Sequence, residues 1–309
     1  MKKIITILAV CILSVVVLFQ VLRKEDIPLA ELKTKYCNSS SQFMEIDGLN
    51  VHYRIEGQGR PLVLIHGTGS CLQTWDGWID SLKGDFKVIR LDMPGFGITG
   101  PRADKDYSIH QYVSFLHKFL TKLDIDTCSM AGNSLGGEIV WSYAAAYPAN
   151  VSNLILIDPA GFYLKGGQSA FSVFSLAKYK WLAAVIGQLD TKILVNRTLN
   201  DVYFDDSKIT EAKRIMYHDM SLRAGNRQAF TDRVQQIDKE QKPNLAPITA
   251  RTLLMWGRED QLLSIILASN FRAIKNIKEI DYDKVGHSPQ EEIPQRSVLD
   301  AIKFLHQNH

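Results

Sequence analysis

The chain has 309 residues, 46% hydrophobic and 22% charged, which is enough to build one large α/β domain or two small ones and excludes a disordered chain. Four of its 36 basic residues, Lys2, Lys3, Arg23 and Lys24, fall within residues 1–24 with no acid among them, so the rest of the chain is close to neutral against its 33 acids. That balance offers no basic surface and argues against nucleic acid as a partner.

The N-terminal segment stands apart. Ile4–Leu22 is a run of 19 residues without charge, bracketed by basic residues. A helix of that length spans about 30 Å, the thickness of a bilayer core. No small-residue cleavage site follows it, so residues 1–24 are expected to be an uncleaved single-pass membrane anchor in preference to a signal segment removed on export. Basic residues flank both sides of the run, and the side of the membrane that carries the rest of the chain stays open. Residues 25–41, ending in the polar "NSSS", read as a linker.

Two short strands follow, "QFMEID" and "NVHYRIEG", around a glycine turn typical of a hairpin. "RPLVLIHG" and "FKVIRLDMPG" are continuous apolar runs ending at glycine, as expected of strands buried on both faces. Between them, "LQTWDGWIDSLKG" has helical character. "SIHQYVSFLHKFLTKL" carries apolar residues at helical spacing behind Ser108, a candidate N-cap, and its His110 and His117 are assigned to surface or packing. "TCSMAGN" is the next strand, "SLGGEIVWSYAAAY" a helix stopped before Pro148, and "VSNLILIDPAG" another buried strand. Alternating strands and helices predict a mostly parallel sheet flanked by helices.

The alternation stops at about Phe162. From residue 162 to 245 there are amphipathic stretches and no apolar strand, a segment too long for an ordinary loop. The pattern resumes with "ARTLLMWGRED", a helix through "LSIILASNFRAI", the strand "IKEIDYD" and a closing helix. The expected organisation is a core in two parts, 42–161 and 246–309, with a helical insertion at 162–245 after the sixth strand. The four cysteines have no metal-binding spacing. A Cys37–Cys71 bridge remains open should the domain face an oxidising compartment.

The chemistry concentrates at "GNSLGG". Ser134 stands where a strand turns directly into a helix, a corner that holds its apex residue at positive φ above the sheet. Gly132 and Gly136 answer the demand for close backbone approach on either side. Serine needs a base, commonly a histidine oriented by a carboxylate. Of the eight histidines, His287 lies in the loop after the last predicted strand, where loops build the top of a parallel sheet. Asp260 lies just past the preceding strand end; Glu259 is its local competitor, and an N-cap is its alternative role. A tetrahedral oxyanion requires amide donors, expected from Leu135, next to the nucleophile, and from Thr68 in "HGTGS". His66 is expected to brace its loop, and Asp92 in "DMPGFG" to bond loop amides. No phosphate-binding G-K-[ST] motif occurs near these glycines.

From about Gln42 to the C-terminus, "HGTG", "DMPGFG", "GNSLGG", "WGRED" and "GHSPQEEIP" occur in an order and spacing that resemble the α/β-hydrolase superfamily. The resemblance implies an α/β-hydrolase fold with a helical cap over the pocket, Ser134, Asp260 and His287 as a triad, and Thr68 and Leu135 as oxyanion-hole amides. Relatives acting on epoxides or haloalkanes carry aspartate at the elbow, and the serine here departs from them. The expected activity is ester hydrolysis through an acyl-enzyme, without metal or organic cofactor, on a small-molecule ester or acyl substrate, lipid-derived ones included. Two alternatives stand beside it: hydrolysis of a carbon–carbon bond in a ring-cleavage product, and a non-catalytic binding protein built on the same fold.

Overall fold

A computed structural model describes residues 21–163, 187–237 and 244–307, together with positions 3, 13, 14, 17, 19, 20, 177 and 179. Eight strands form one sheet in the order β1-β2-β4-β3-β5-β6-β7-β8. They are β1 (Ser41–Ile46), β2 (Leu49–Glu56), β3 (Arg60–Ile65), β4 (Phe86–Leu91), β5 (Cys128–Asn133), β6 (Val151–Ile157), β7 (Arg251–Gly257) and β8 (Ile277–Tyr282). The β1–β2 hairpin turns through Asp47 and Gly48, both at positive φ, and adds antiparallel to β4. Every pairing from β4 to β8 is parallel. This is the mostly parallel sheet expected from the strand–helix alternation, in the fold that the motif resemblance implies.

The period of two along the buried strands divides the core between the sheet's two faces. Val63 and Ile65 of β3, Met130 of β5, Leu154 and Leu156 of β6 and Trp256 of β7 pack on one side. There they meet Tyr112, Phe115 and Phe119 of α3 (Ile109–Lys122) and Ile139, Val140 and Tyr143 of α4 (Leu135–Ala146). Leu62, Leu64, Ala131, Ile155, Ile157, Leu253 and Met255 face the other way. They pack on Trp78 and Leu82 of α2 (Asp76–Leu82) and on Val298, Ala301 and Phe304 of α9 (Pro294–His306). Ser108 caps α3 as expected, its hydroxyl accepting from the Gln111 N–H. His117 stacks on Tyr147 at 4.2 Å between centroids, and His110 is exposed.

Between β6 and β7 the described residues contain three helices, α5 (Lys192–Val202), α6 (Glu211–Ser221) and α7 (Asn226–Val234). This is the helical cap after the sixth strand. The first amphipathic stretch expected there, residues 169–189, lies largely outside the described residues. Leu199, Tyr203 and Ile209 give the insertion a small core of its own. It is fastened to the rest by Arg233 of α7, whose Nη2 lies 3.3 Å from the Glu138 carboxylate of α4, both side chains buried.

Two sequence expectations change, the open question of a cysteine bridge is answered, and the membrane run lies mostly outside the described residues. Residues 25–41 are no free linker: α1 (Leu29–Tyr36) begins after Pro28 and buries Leu32. The Tyr36 phenol and the Lys35 ammonium both donate to Asp219 of α6, and Arg227 pairs with Asp26 at 2.6 Å. The apolar face of α1 is only one or two residues wide, which is why its pattern is faint. Ile265–Ala273 winds as a 3₁₀ helix and not an α-helix. Cys37 and Cys71 are both free, and Cys71 is fully buried. Among the described residues no helix is long and apolar enough to cross a membrane; the run Ile4–Leu22 expected to do so lies mostly outside them.

The Arg233–Glu138 pair yields a stability prediction. Removing one partner strands the other charge in a low dielectric, typically at about 3–5 kcal/mol. Glu138→Ala is expected to lower the free energy of unfolding by that amount in chemical denaturation, and a loss under about 1 kcal/mol would show that the pair is not a fastening.

Candidate active site

The register of the parallel strands brings five strand ends together. Ile65 pairs with Gly132, Asn133 with Ile157, Ile157 with Met255, and Gly257 with Tyr282. The loops that follow therefore emerge side by side at the carboxyl edge. They carry Thr68, Ser134, Asp158, Asp260 and His287. Open α/β sheets bind ligands at that edge, where the strand order reverses on either side of β3 and β5.

Ser134 has φ 55° and ψ −120°, outside the regions open to ordinary side chains. Such a conformation costs on the order of 1–3 kcal/mol and persists only where its surroundings enforce it. The surroundings are visible. The Ser134 N–H donates to Ile157 O, and its carbonyl accepts from the N–H groups of Glu138 and Ala160. A Cβ on Gly132 would stand 2.2 Å from the Gly136 carbonyl oxygen, and one on Gly136 would stand 2.1 Å from Ile65 O. The two flanking glycines thus permit three backbone segments to meet. Gly137 instead makes room for Pro159.

His287 lies in the loop between β8 and α8 (Pro289–Glu292). Its Nδ1 is 2.7 Å from Asp260 Oδ2, and both residues are buried. Asp260 Oδ1 accepts from the N–H groups of Leu262 and Leu263, so the carboxylate caps the next turn and orients the histidine together. Glu259, the competitor in sequence, points away and accepts weakly from the Lys284 N–H at 3.4 Å. The loop of His287 is held from two sides. Its N–H donates to Val202 O at the end of α5, and its carbonyl accepts from Asn133 Nδ2 at 2.9 Å. Asn133 also donates to Ile157 O. This residue ties the strand before Ser134 to the loop of His287, and sequence reasoning passes over it; its signal is a short amide beside the elbow serine.

Ser134, His287, Thr68 and Gly67 line one cavity of about 170 Å³. An ideal Cβ at Gly67 would lie 3.2 Å from Ser134 Cβ, so the "HGTG" loop sits directly against the serine. Leu135, first residue of α4, follows the serine and is buried. Leu194, Val195, Leu199 and Val202 of α5, with Phe230 and Leu262, form the apolar part of the wall. Tyr217 enters from α6, its phenol bonded to Glu291 at 2.8 Å and near Ser70 at 3.1 Å.

The remaining polar loop residues have structural work. His66 accepts from the Met93 N–H on Nε2 and donates from Nδ1 to Gly67 O, which fixes its tautomer. Burial holds its imidazole below the ordinary histidine range, so it is a neutral brace. Asp92 accepts from the N–H groups of Leu72 and Ile98 and from His52 Nδ1. Asp158, Asp260 and His287 present ligand-type atoms within 4.8 Å of one another, yet the last two are already bonded together.

A serine on a strained strand-to-helix corner, a carboxylate-bound histidine three strand ends away and a helical cover define a hydrolase of the α/β type. The chain belongs to the α/β-hydrolase fold family, whose model matches residues 60–294. It is similar to the 2-hydroxy-6-oxo-2,4-heptadienoate hydrolase of Pseudomonas putida, 26% identical over 230 residues, 71% of this chain and 78% of that protein. It is 29% identical over 230 residues to the dihydrolipoyllysine-residue acetyltransferase component of the acetoin cleaving system of Cupriavidus necator. That match covers 72% of this chain but only 58% of the longer relative. Among solved structures, a membrane phospholipase A described as a bacterial virulence factor superposes with a TM-score of 0.75 at 25% identity, covering 99% of this chain and 98% of that one.

The corner makes a sharp prediction. Gly136→Ala places a methyl group against main-chain oxygens that cannot move aside, and overpacking of this kind costs about 1–3 kcal/mol or more. The variant is expected at or beyond the upper end of that range in denaturant titration. Unchanged stability would mean that the backbone contact at Ile65 is not tight.

Proposed function

We propose that the protein is a serine hydrolase that cleaves acyl esters through an acyl-enzyme, with Ser134 as nucleophile, His287 as base and Asp260 as the residue that orients it. The observation that carries the reading is the combination of Ser134 at φ 55° with the 2.7 Å bond from Asp260 to His287, opening on one cavity. Ser134 Oγ attacks the carbonyl carbon while His287 Nε2 takes its proton. Asp260 keeps the other ring proton on Nδ1. Negative charge on the former carbonyl oxygen is met by the N–H groups of Leu135 and Thr68; one such donor is worth about 3 kcal/mol in the transition state. The leaving alcohol receives the histidine's proton. Water, deprotonated by His287, then releases the acid and restores the serine. Every proton is accounted for by these residues and water.

The substrate class we favour is an acyl chain esterified in a lipid. The apolar stripe of α5 beside Ser134 suits a hydrocarbon chain, and the likeness to a membrane phospholipase A over nearly the whole chain supports the same reading. The uncharged run Ile4–Leu22 would hold such a site near a lipid surface. A second reading, hydrolysis of the carbon–carbon bond of a vinylogous diketone, is favoured by the heptadienoate hydrolase relative.

A substrate panel separates the two. The wild type is expected to hydrolyse acyl esters of graded chain length and phospholipid in vesicles, with turnover reduced at least about 10⁴-fold in Ser134→Ala. Faster turnover of the diketone than of any ester would favour carbon–carbon cleavage, and no turnover of either by wild-type protein would return the non-catalytic reading.

A further inference from the structure

Asp158 directly follows β6, holds φ 42°, and is completely buried. Its N–H donates to Met255 O and its Oδ1 accepts from the Gly257 N–H at 2.9 Å, so the side chain is held over β7. Oδ2 finds no hydrogen-bond donor among the described residues, and an unpaired buried carboxylate oxygen is costly. What stands next to it is the Asp260 carboxylate, with His287 in the same 4.8 Å cluster. Two carboxylates share no hydrogen. One proton between them turns a repulsive contact into a hydrogen bond.

The proton's location follows from the partners of each acid. Asp260 accepts from Leu262, Leu263 and His287, three donors that favour its charged form. Among the described residues Asp158 accepts from one amide only. The other titratable groups around Asp158 do not reverse this. Glu292 is a further acid whose Oε2 accepts from the Gly286 N–H, and the Tyr282 phenol of β8 is bonded to Asp300. Burial, and then the charge of Asp260, hold Asp158 well above the usual carboxylate range.

We propose that Asp158 is a positioning residue carried as the neutral carboxylic acid, donating its proton in a hydrogen bond to the Asp260 carboxylate that orients His287. The inference rests on the triad reading above. The donated bond holds the Asp260 carboxylate and draws charge density away from His287. Asp260 then stabilises the imidazolium less than a bare buried carboxylate would, and the base stays available at lower pH.

The experiment uses the full chain with Asp158→Asn, whose amide still donates, and Asp158→Leu, which fills similar space with no donor. In the pH profile of kcat/KM for ester hydrolysis, D158L is expected to move the acidic limb up by about half to one pH unit, because Asp260 becomes the stronger partner of the imidazolium. D158N is expected to leave the limb within about 0.2 unit of wild type. Were Asp158 ionised, D158N would remove a negative charge beside the imidazolium and move the limb down, which overturns the proposal; so does an unmoved limb in D158L. Should D158L not fold, wild type minus D158N difference infrared spectra at neutral pH decide. A carbonyl stretch of a protonated acid supports the proposal, and a carboxylate band in its place overturns it. Absence of ester turnover in the wild type itself would count against the triad reading, and the infrared readout would still judge the protonation of Asp158.

Discussion

Three main-chain segments meet at the corner between β5 and α4 with no room for a side chain: Gly132, Gly136 and the Ile65–His66 end of β3. The rest of the site depends on that approach. It lets α4 start immediately after the strand, forces Ser134 into a left-handed conformation, and sets the loop with Thr68 against the serine. The sheet register then does for the distant residues what the glycines do locally. Because Asn133, Ile157 and Met255 lie level, and Gly257 lies level with Tyr282, loops separated by more than a hundred residues of sequence open at one edge. Hydrogen bonds from Asn133 Nδ2 to His287 O and from the Gly257 N–H to Asp158 Oδ1 convert that proximity into fixed geometry.

Much of this was legible before any coordinates. Strands buried on both faces, such as β3, β4 and β6, announce themselves as unbroken apolar runs, the half-exposed β1 and β8 are legible from the turns and helices beside them, and the place where the alternation stops is equally plain. The elbow was legible because glycine at Gly132 and Gly136 has a steric reason that few other contexts supply. Asp260 and Glu259 could not be separated in sequence, since adjacent acids differ only in which way a loop turns. The structure separates them through the Leu262 and Leu263 amides that hold one and not the other. Asn133 and Asp158 went unread as site residues because a short polar side chain at a strand end has many uses, and only its partners across the sheet reveal which one. The helix Leu29–Tyr36 was missed for a different reason: its burial is supplied by distant chain, at Asp219 and the loop around Cys71, and leaves little local periodicity.

Specific polar contacts join the cap to the core beside the apolar packing of Ala229 and Met220. Glu138 and Arg233 pair beneath the nucleophile's helix, and the Val202 carbonyl takes the His287 N–H. Glu291 gathers Tyr203, Tyr217 and Lys213 at the start of the closing helices. Each link joins an element that shapes the cavity to one that carries chemistry. A change in the insertion can therefore reach His287 through one hydrogen bond, from its N–H to Val202 O.

The central claim is that Ser134 is the group that reacts. The most direct measurement is mass spectrometry of the protein after treatment with a fluorophosphonate, with the adduct mapped by peptide. The account predicts a single stoichiometric adduct on the peptide containing Ser134, strongly slowed in His287→Ala. An adduct on any other serine, or equal labelling in Ser134→Ala, would contradict it.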